Sequence, residues 1–173
     1  GDYMLDNKLG IIDAVELARQ EERLSKKRAL EMFESGFLDS LEPGTFSCLS
    51  AIHKKLFGDI YDFAGEIRTV NIAKGNFRFA PVMYLKEALK SIEKMPQQSF
   101  QQIVEKYVEM NVAHPFREGN GRSTRELIRC MALEYGLHIN WGNTDRETLI
   151  NAAIAAVDDD MAFCDVLRQC IET

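Results

Sequence analysis

What is scarce in this sequence narrows it first. Its 173 residues include four prolines, four cysteines, three histidines and one tryptophan. The prolines, at 43, 81, 96 and 115, fall where helical patterns stop or start and leave long helices intact. Cys48, Cys130, Cys164 and Cys170 form no CxxC pair and have no histidine at zinc spacing. That argues against a zinc site and for reduced thiols in a cytoplasmic protein. No stretch approaches the ~20 apolar residues of a membrane span, and no signal peptide stands out. Gly1 reads as the remnant of a cleaved tag, with Met4 as the native start. No internal repeat, low-complexity tract or Pro/Ser-rich linker is present. Positive charge is also in deficit, with 21 Lys and Arg against 27 Asp and Glu and a formal net charge of −6. Such a chain is a poor candidate for gripping nucleic acid through its phosphates, which takes a basic surface. The basic run Lys26-Lys27-Arg28 lies beside Glu21 and Glu22 and is expected to decorate a solvated helix face.

What is present is ordinary in amount and ordered in pattern. Apolar residues make up 46% and charged residues 28%, enough for one domain, residues 1–173, with a sizeable core. Helical spacing predicts helices over Asp13–Leu24, continuing from Ser25 to Phe33 and ending at Ser35-Gly36. Further helices are predicted over Phe46–Phe57, Pro81–Glu93, Ser99–Val112, Arg122–Tyr135, Asp145–Val157 and Met161–Ile171. One segment, 69–79, breaks the pattern. Val70 and Ile72 alternate with polar residues, Lys74-Gly75-Asn76 supplies a turn, and Phe77 and Phe79 flank Arg78. This reads as the one convincing strand pair in the chain. The expected class is all-α with a single small β-hairpin.

Chemistry concentrates between two amphipathic helices, from His114 to Arg125, in the run HPFREGNGRSTR. His114 ends the incoming helix, and imidazole is the natural general base near neutral pH. Glu118 offers a hard oxygen ligand suited to Mg²⁺. Gly119-Asn120-Gly121 permits positive φ, so backbone N–H groups can turn inward at the start of the next helix. That is the recipe for a phosphate cradle. Arg122 and Arg125, three apart, reach one side of it. Each residue alone has a bland structural reading: a solvated histidine, a common turn, a core phenylalanine, a solvated arginine pair. Their convergence within twelve residues favours a nucleotide-phosphate site. His53, beside Lys54 and Lys55, is expected at the surface, and Trp141 is expected to pack, with bordering an adenine pocket as its lesser reading.

The run also resembles the signature of the Fic family, H-x-F-x-D/E-G-N-G-R-x-x-R, at every fixed position: His114, Phe116, Glu118, Gly119, Asn120, Gly121, Arg122 and Arg125. Seven single-letter positions at roughly 5% usage each give a chance match on the order of one in 10⁹ per start point. Tyr61 to Arg68 resembles the family's aromatic-A-G-x-x-R segment, and Lys74 to Phe79 falls where the family has its flap, so the resemblance covers about Arg23 to Trp141. It implies a Fic-type helical bundle that transfers AMP from ATP to a hydroxyl side chain of a target protein. His114 would deprotonate that hydroxyl, and Phe116 would anchor the loop. Glu118 would hold Mg²⁺ between the α- and β-phosphates. Backbone amides around Gly119 and Gly121, with the Asn120 side chain, would bind those phosphates. Arg122 would stabilise leaving pyrophosphate, and Arg125 would reach the γ-phosphate. The flap residues Asn76, Phe77, Arg78 and Phe79 would dock an extended target segment by strand addition, while Lys74 and Gly75 approach the nucleotide. From residues alone the hairpin is as well explained as a structural ribbon.

Many Fic proteins carry an inhibitory helix with the pattern S/T-x-x-x-E-G/N, whose glutamate pairs with the second arginine. No Ser or Thr here begins that pattern. Two explanations stay open: a separate antitoxin partner supplies the helix, or it follows Thr173 in the native protein. A Fic-fold kinase like the related Doc toxins and a non-catalytic nucleotide- or partner-binding module are the competing functions. The intact G-N-G-R run speaks against the first, and His114 speaks against the second. Oligomeric state and the target are not written in the sequence.

Overall fold

Local signals start and stop the helices where side chains can cap them. A computed structural model describes residues 5–172, so the assignments of Gly1 and Met4 lie outside the described residues. Helix α1 (Ala14–Ser35) begins where the Asp13 carboxylate accepts the Val15 N–H and ends at Gly36 in the left-handed region. Thr45 caps α2 (Phe46–Phe57), Ser99 caps α4 (Phe100–Ala113) and Asp145 caps α6 (Arg146–Ala155) in the same way. Helices α3 (Leu85–Glu93), α5 (Asn120–Leu133) and α7 (Met161–Cys170) complete the bundle. Among the described residues, the rest is short 3₁₀ turns and two two-residue ribbons.

Helix α2 is the hub. It buries Leu49, Ile52, Leu56 and Phe57 between α1 and α5, and α5 packs in turn on α4. Burying each such side chain contributes about 1.5–3 kcal/mol, so this sandwich fixes where α5 begins more firmly than any cap does. Helices α6 and α7 pair with each other, and α7 also touches α4. All four cysteines are free and buried.

Several expectations change. The hairpin shrinks to β1 (Ala73–Lys74) and β2 (Phe77–Arg78), registered Ala73 with Arg78 and Lys74 with Phe77. Phe79 N–H still donates to the Ile72 carbonyl, but the Val70 carbonyl accepts from Arg68 and leaves the ladder. A second ribbon, β3 (His138–Ile139) with β4 (Ile171–Glu172), corrects the expectation of a single strand pair. Two-residue ribbons carry no alternation to read, so sequence pattern misses them. Helix α5 starts at Asn120, two residues before the predicted Arg122, because only Gly119 needs positive φ.

Candidate active site

The loop 114–119 is clamped from below by two residues distant in sequence. Arg68 is 4% exposed and donates only to main-chain carbonyls. Its Nε bonds His114 O at 2.7 Å, its Nη1 bonds Val70 O at 2.7 Å, and its Nη2 bonds Ala80 O at 2.6 Å and Ala113 O at 3.0 Å. A buried cation at the carbonyl end of α4 is stabilised by the helix dipole. Arg68 thereby ties both ends of the hairpin to the turn that carries His114. His53 holds the other side. Its Nδ1 accepts the Gly65 N–H at 2.8 Å, so its Nε2–H donates to the Glu118 carbonyl, also at 2.8 Å. The ring stacks on Phe116 at 3.8 Å. His53 is 0% exposed, so the expected surface position is corrected. The neighbouring Lys54 and Lys55 are a misleading guide because His53 lies on the buried face of α2, beside Ile52.

His114 takes φ 48°, the only non-glycine positive φ among the described residues. That conformation ends α4 and swings the ring into a cavity. Its Nδ1–H donates to the Asn111 carbonyl at 3.0 Å, which leaves Nε2 as the unprotonated nitrogen of a ring that lines the cavity. Phe79 stacks on the ring at 3.7 Å and 9° between planes. Burial pulls the imidazole pKa down to about 4, so the ring is neutral at pH 7. Gly119 is required twice over: φ is 81°, and a Cβ there would sit 2.5 Å from the Phe57 ring. The Gly119 N–H donates to the Glu118 carboxylate at 3.3 Å, but no side chain caps α5 itself, so its first N–H groups lack side-chain acceptors where Asn120 and Gly121 line the same space.

That space is a cavity of about 510 Å³, a size suited to a nucleotide. His114, Glu118, Gly119, Asn120, Gly121, Arg122 and Arg125 line one side, and Asn71 to Lys74 of the hairpin line another. A neighbouring groove of about 770 Å³ shares Glu21, Glu118, Arg122 and Arg125 with it. The structure thus brings the motif residues together, with three differences from expectation. The Asn120 side chain is buried and closes a ring with Phe116, accepting its N–H at 2.7 Å and donating to its carbonyl at 2.6 Å. It braces the loop, and the main chain of Asn120 is what the cavity sees. Gly75, at φ 59°, sits at the hairpin tip away from the cavity wall, which Lys74 reaches. Phe79 is 8% exposed and packed on His114, so it is not a free docking residue, whereas Asn76 and Arg78 are exposed and Phe77 half-buried.

Residues outside the motif complete the walls. From α6 come Leu149, Ile150, Ala153 and Ile154, an apolar strip suited to a flat base, together with Arg146. Their i, i+1, i+4, i+5 spacing is visible in the sequence but is indistinguishable from core. Glu21 belongs to the cavity and not to a solvated face. Its carboxylate accepts the Tyr61 hydroxyl at 2.5 Å, and burial raises its pKa. Trp141 packs on α5, donating its indole N–H to Arg125 O at 3.3 Å.

The sequence profile of the Fic/DOC family matches residues 45–132. The chain is 35% identical over 159 residues to "Protein adenylyltransferase VbhT" of Bartonella schoenbuchensis, covering 86% of this chain and 33% of that protein. It therefore spans a third of the length of that relative. It is 33% identical over 180 residues to "Probable protein adenylyltransferase Fic" of Salmonella typhimurium, covering 98% and 88%. In fold it is similar to BepC of Bartonella tribocorum, solved with bound AMPPNP, at TM-score 0.82 and 23% identity over 99% of this chain and 94% of that one.

Proposed function

The chain belongs to the Fic/DOC family, and from that premise we propose that it is a protein adenylyltransferase, moving AMP from ATP onto a hydroxyl of a target protein. One observation carries the reading: an unbroken His114-to-Arg125 motif whose neutral histidine faces, across one cavity, an uncapped helix start and two arginines. The relatives named as adenylyltransferases support the same chemistry.

In this reading the target hydroxyl gives its proton to His114 Nε2, and its oxygen attacks the α-phosphorus. The new O–P bond forms as the bond from the α-phosphorus to the bridging oxygen breaks, and pyrophosphate leaves. The burden falls on positioning and on stabilising charge already spread over phosphate oxygens. The first amides of α5 hold the α- and β-phosphates, and Arg122 and Arg125 draw charge toward the leaving end. The α6 strip takes the adenine. Glu118 fits a Mg²⁺ site: it is exposed at the cavity wall, its main chain is held by His53, and one carboxylate plus phosphate oxygens is a usual Mg²⁺ set. When bound, the ion would neutralise phosphate charge. The hairpin edge around Asn76 to Arg78 is where an extended target segment would add as a strand. Free, buried thiols support a reducing compartment, the cytoplasm. The groove beside Arg125 is open to an inhibitory segment, supplied by a partner or by the native chain itself.

The test is ATP labelled at either the α- or the γ-phosphate, incubated with the chain, Mg²⁺ and cell proteins. Target bands carrying α-label only, and none with His114→Ala, are expected. Transfer of γ-label without α-label would make the chain a kinase and overturn the proposal.

A further inference from the structure

A third arginine, outside the motif, faces the same cavity. Arg146 opens α6 and lines both the cavity and the adjoining groove, where Arg122 and Arg125 line both as well. The three guanidinium groups repel one another. Burial holds the pKa of Arg122 and of Arg125 below the usual arginine value, and Arg146 adds repulsion to each.

The fold offsets this repulsion only in part: Glu21, Glu22 and Glu126 attract Arg122, and Glu126 attracts Arg125, without a direct ion pair. No ion pair among the described residues uses any of the three. Arg122 donates to neutral oxygens, the Ser25 hydroxyl and the Glu22 carbonyl. The nearby carboxylates have other partners: Tyr61 on Glu21, Lys26 on Glu22, Arg129 on Glu126 and the Gly119 N–H on Glu118. In a chain of net charge −6, three cations that converge on one cavity, none of them in a direct ion pair, mark the place of a polyanion. Position along α6 says which part of it. Arg146 lies one turn before Leu149 and Ile150, at the end of the apolar strip that borders the groove. A nucleotide with its base on that strip and its first phosphates on α5 would send its last phosphate toward Arg125 and Arg146.

We propose that Arg146 is a specificity-determining residue that binds the terminal phosphate and makes the site select nucleoside triphosphates over diphosphates. This rests on the nucleotide-site reading given above. The experiment is calorimetric titration of ATP and ADP, each with Mg²⁺, into the wild-type chain, Arg146→Ala and Arg146→Lys. Arg146 is exposed, so both variants should fold, and matching melting curves check this. Arg146→Ala should weaken ATP by about tenfold or more, as loss of a charge-assisted contact does, while ADP stays within about twofold. Arg146→Lys should recover part of the loss. An unchanged ATP affinity, or equal weakening of ATP and ADP, overturns the proposal. A wild-type chain that binds neither nucleotide overturns the nucleotide-site reading itself, and this inference with it.

Discussion

At the scale of single residues, His53 is buried and His114 half-buried, and both are kept neutral, but for different ends. Burial draws each pKa from 6.5 to about 4. His53 uses both ring nitrogens as struts, while His114 uses one and leaves the other to the cavity. The consequence for stability has a definite sign. Between pH 7 and pH 5 the unfolded chain protonates these imidazoles and the folded chain does not, so stability falls as pH falls through 6.5 toward 4. The two together should lose roughly 3–4 kcal/mol by pH 5. Glu21, with its raised pKa, opposes this weakly. Urea unfolding at the two pH values measures the loss; stability that stays level or rises on acidification would refute the assignment. Gly119→Ala places a methyl group against Phe57 at a positive φ. It should destabilise by about 2–4 kcal/mol in the same assay, and a change near zero would mean the loop relaxes freely.

At the scale of elements, the hairpin is too short to hold itself. Two ladder residues a side give almost no independent stability, so its position must come from elsewhere. Arg68 supplies it by binding Val70 and Ala80 on the hairpin's two arms and Ala113 and His114 at the end of α4. The Phe79–His114 stack then couples hairpin and base directly. Arg68→Met should therefore cost about 2–4 kcal/mol and speed amide exchange across residues 70–80 well beyond the rise in the helices. Uniform acceleration over the whole chain would show that Arg68 serves general stability only. The sequence contains Arg68 at the end of a family-like segment, but nothing in its neighbours announces that it reaches across to α4. That contact is made by the turn after α2, which no periodicity encodes.

At the scale of the whole molecule, α1, α5 and α6 and the hairpin meet around one cavity, so a ligand there should tighten all of them at once. ATP with Mg²⁺ at about one hundred times its Kd should add about 2.7 kcal/mol of stability, raising Tm by roughly 5–10 °C for a chain of this size. A melting curve indifferent to nucleotide would contradict the proposed site. The sequence by itself determined the all-α class, nearly every helix, and the motif from His114 to Arg125. Amphipathic spacing, caps and a contiguous loop are all local, and local patterns are what a linear text preserves. Only the tertiary structure decided that His53 and Arg68 brace that loop, that Phe79 lies on His114, and that Asn120 holds Phe116. It alone brought Glu21 and Arg146 to the wall that Glu118 shares. The reason is that α1 and α6 reach that wall by burying their apolar faces, and burial is non-directional: it sets how much surface a helix must cover, while the packing of the whole chain sets where its polar residues end up.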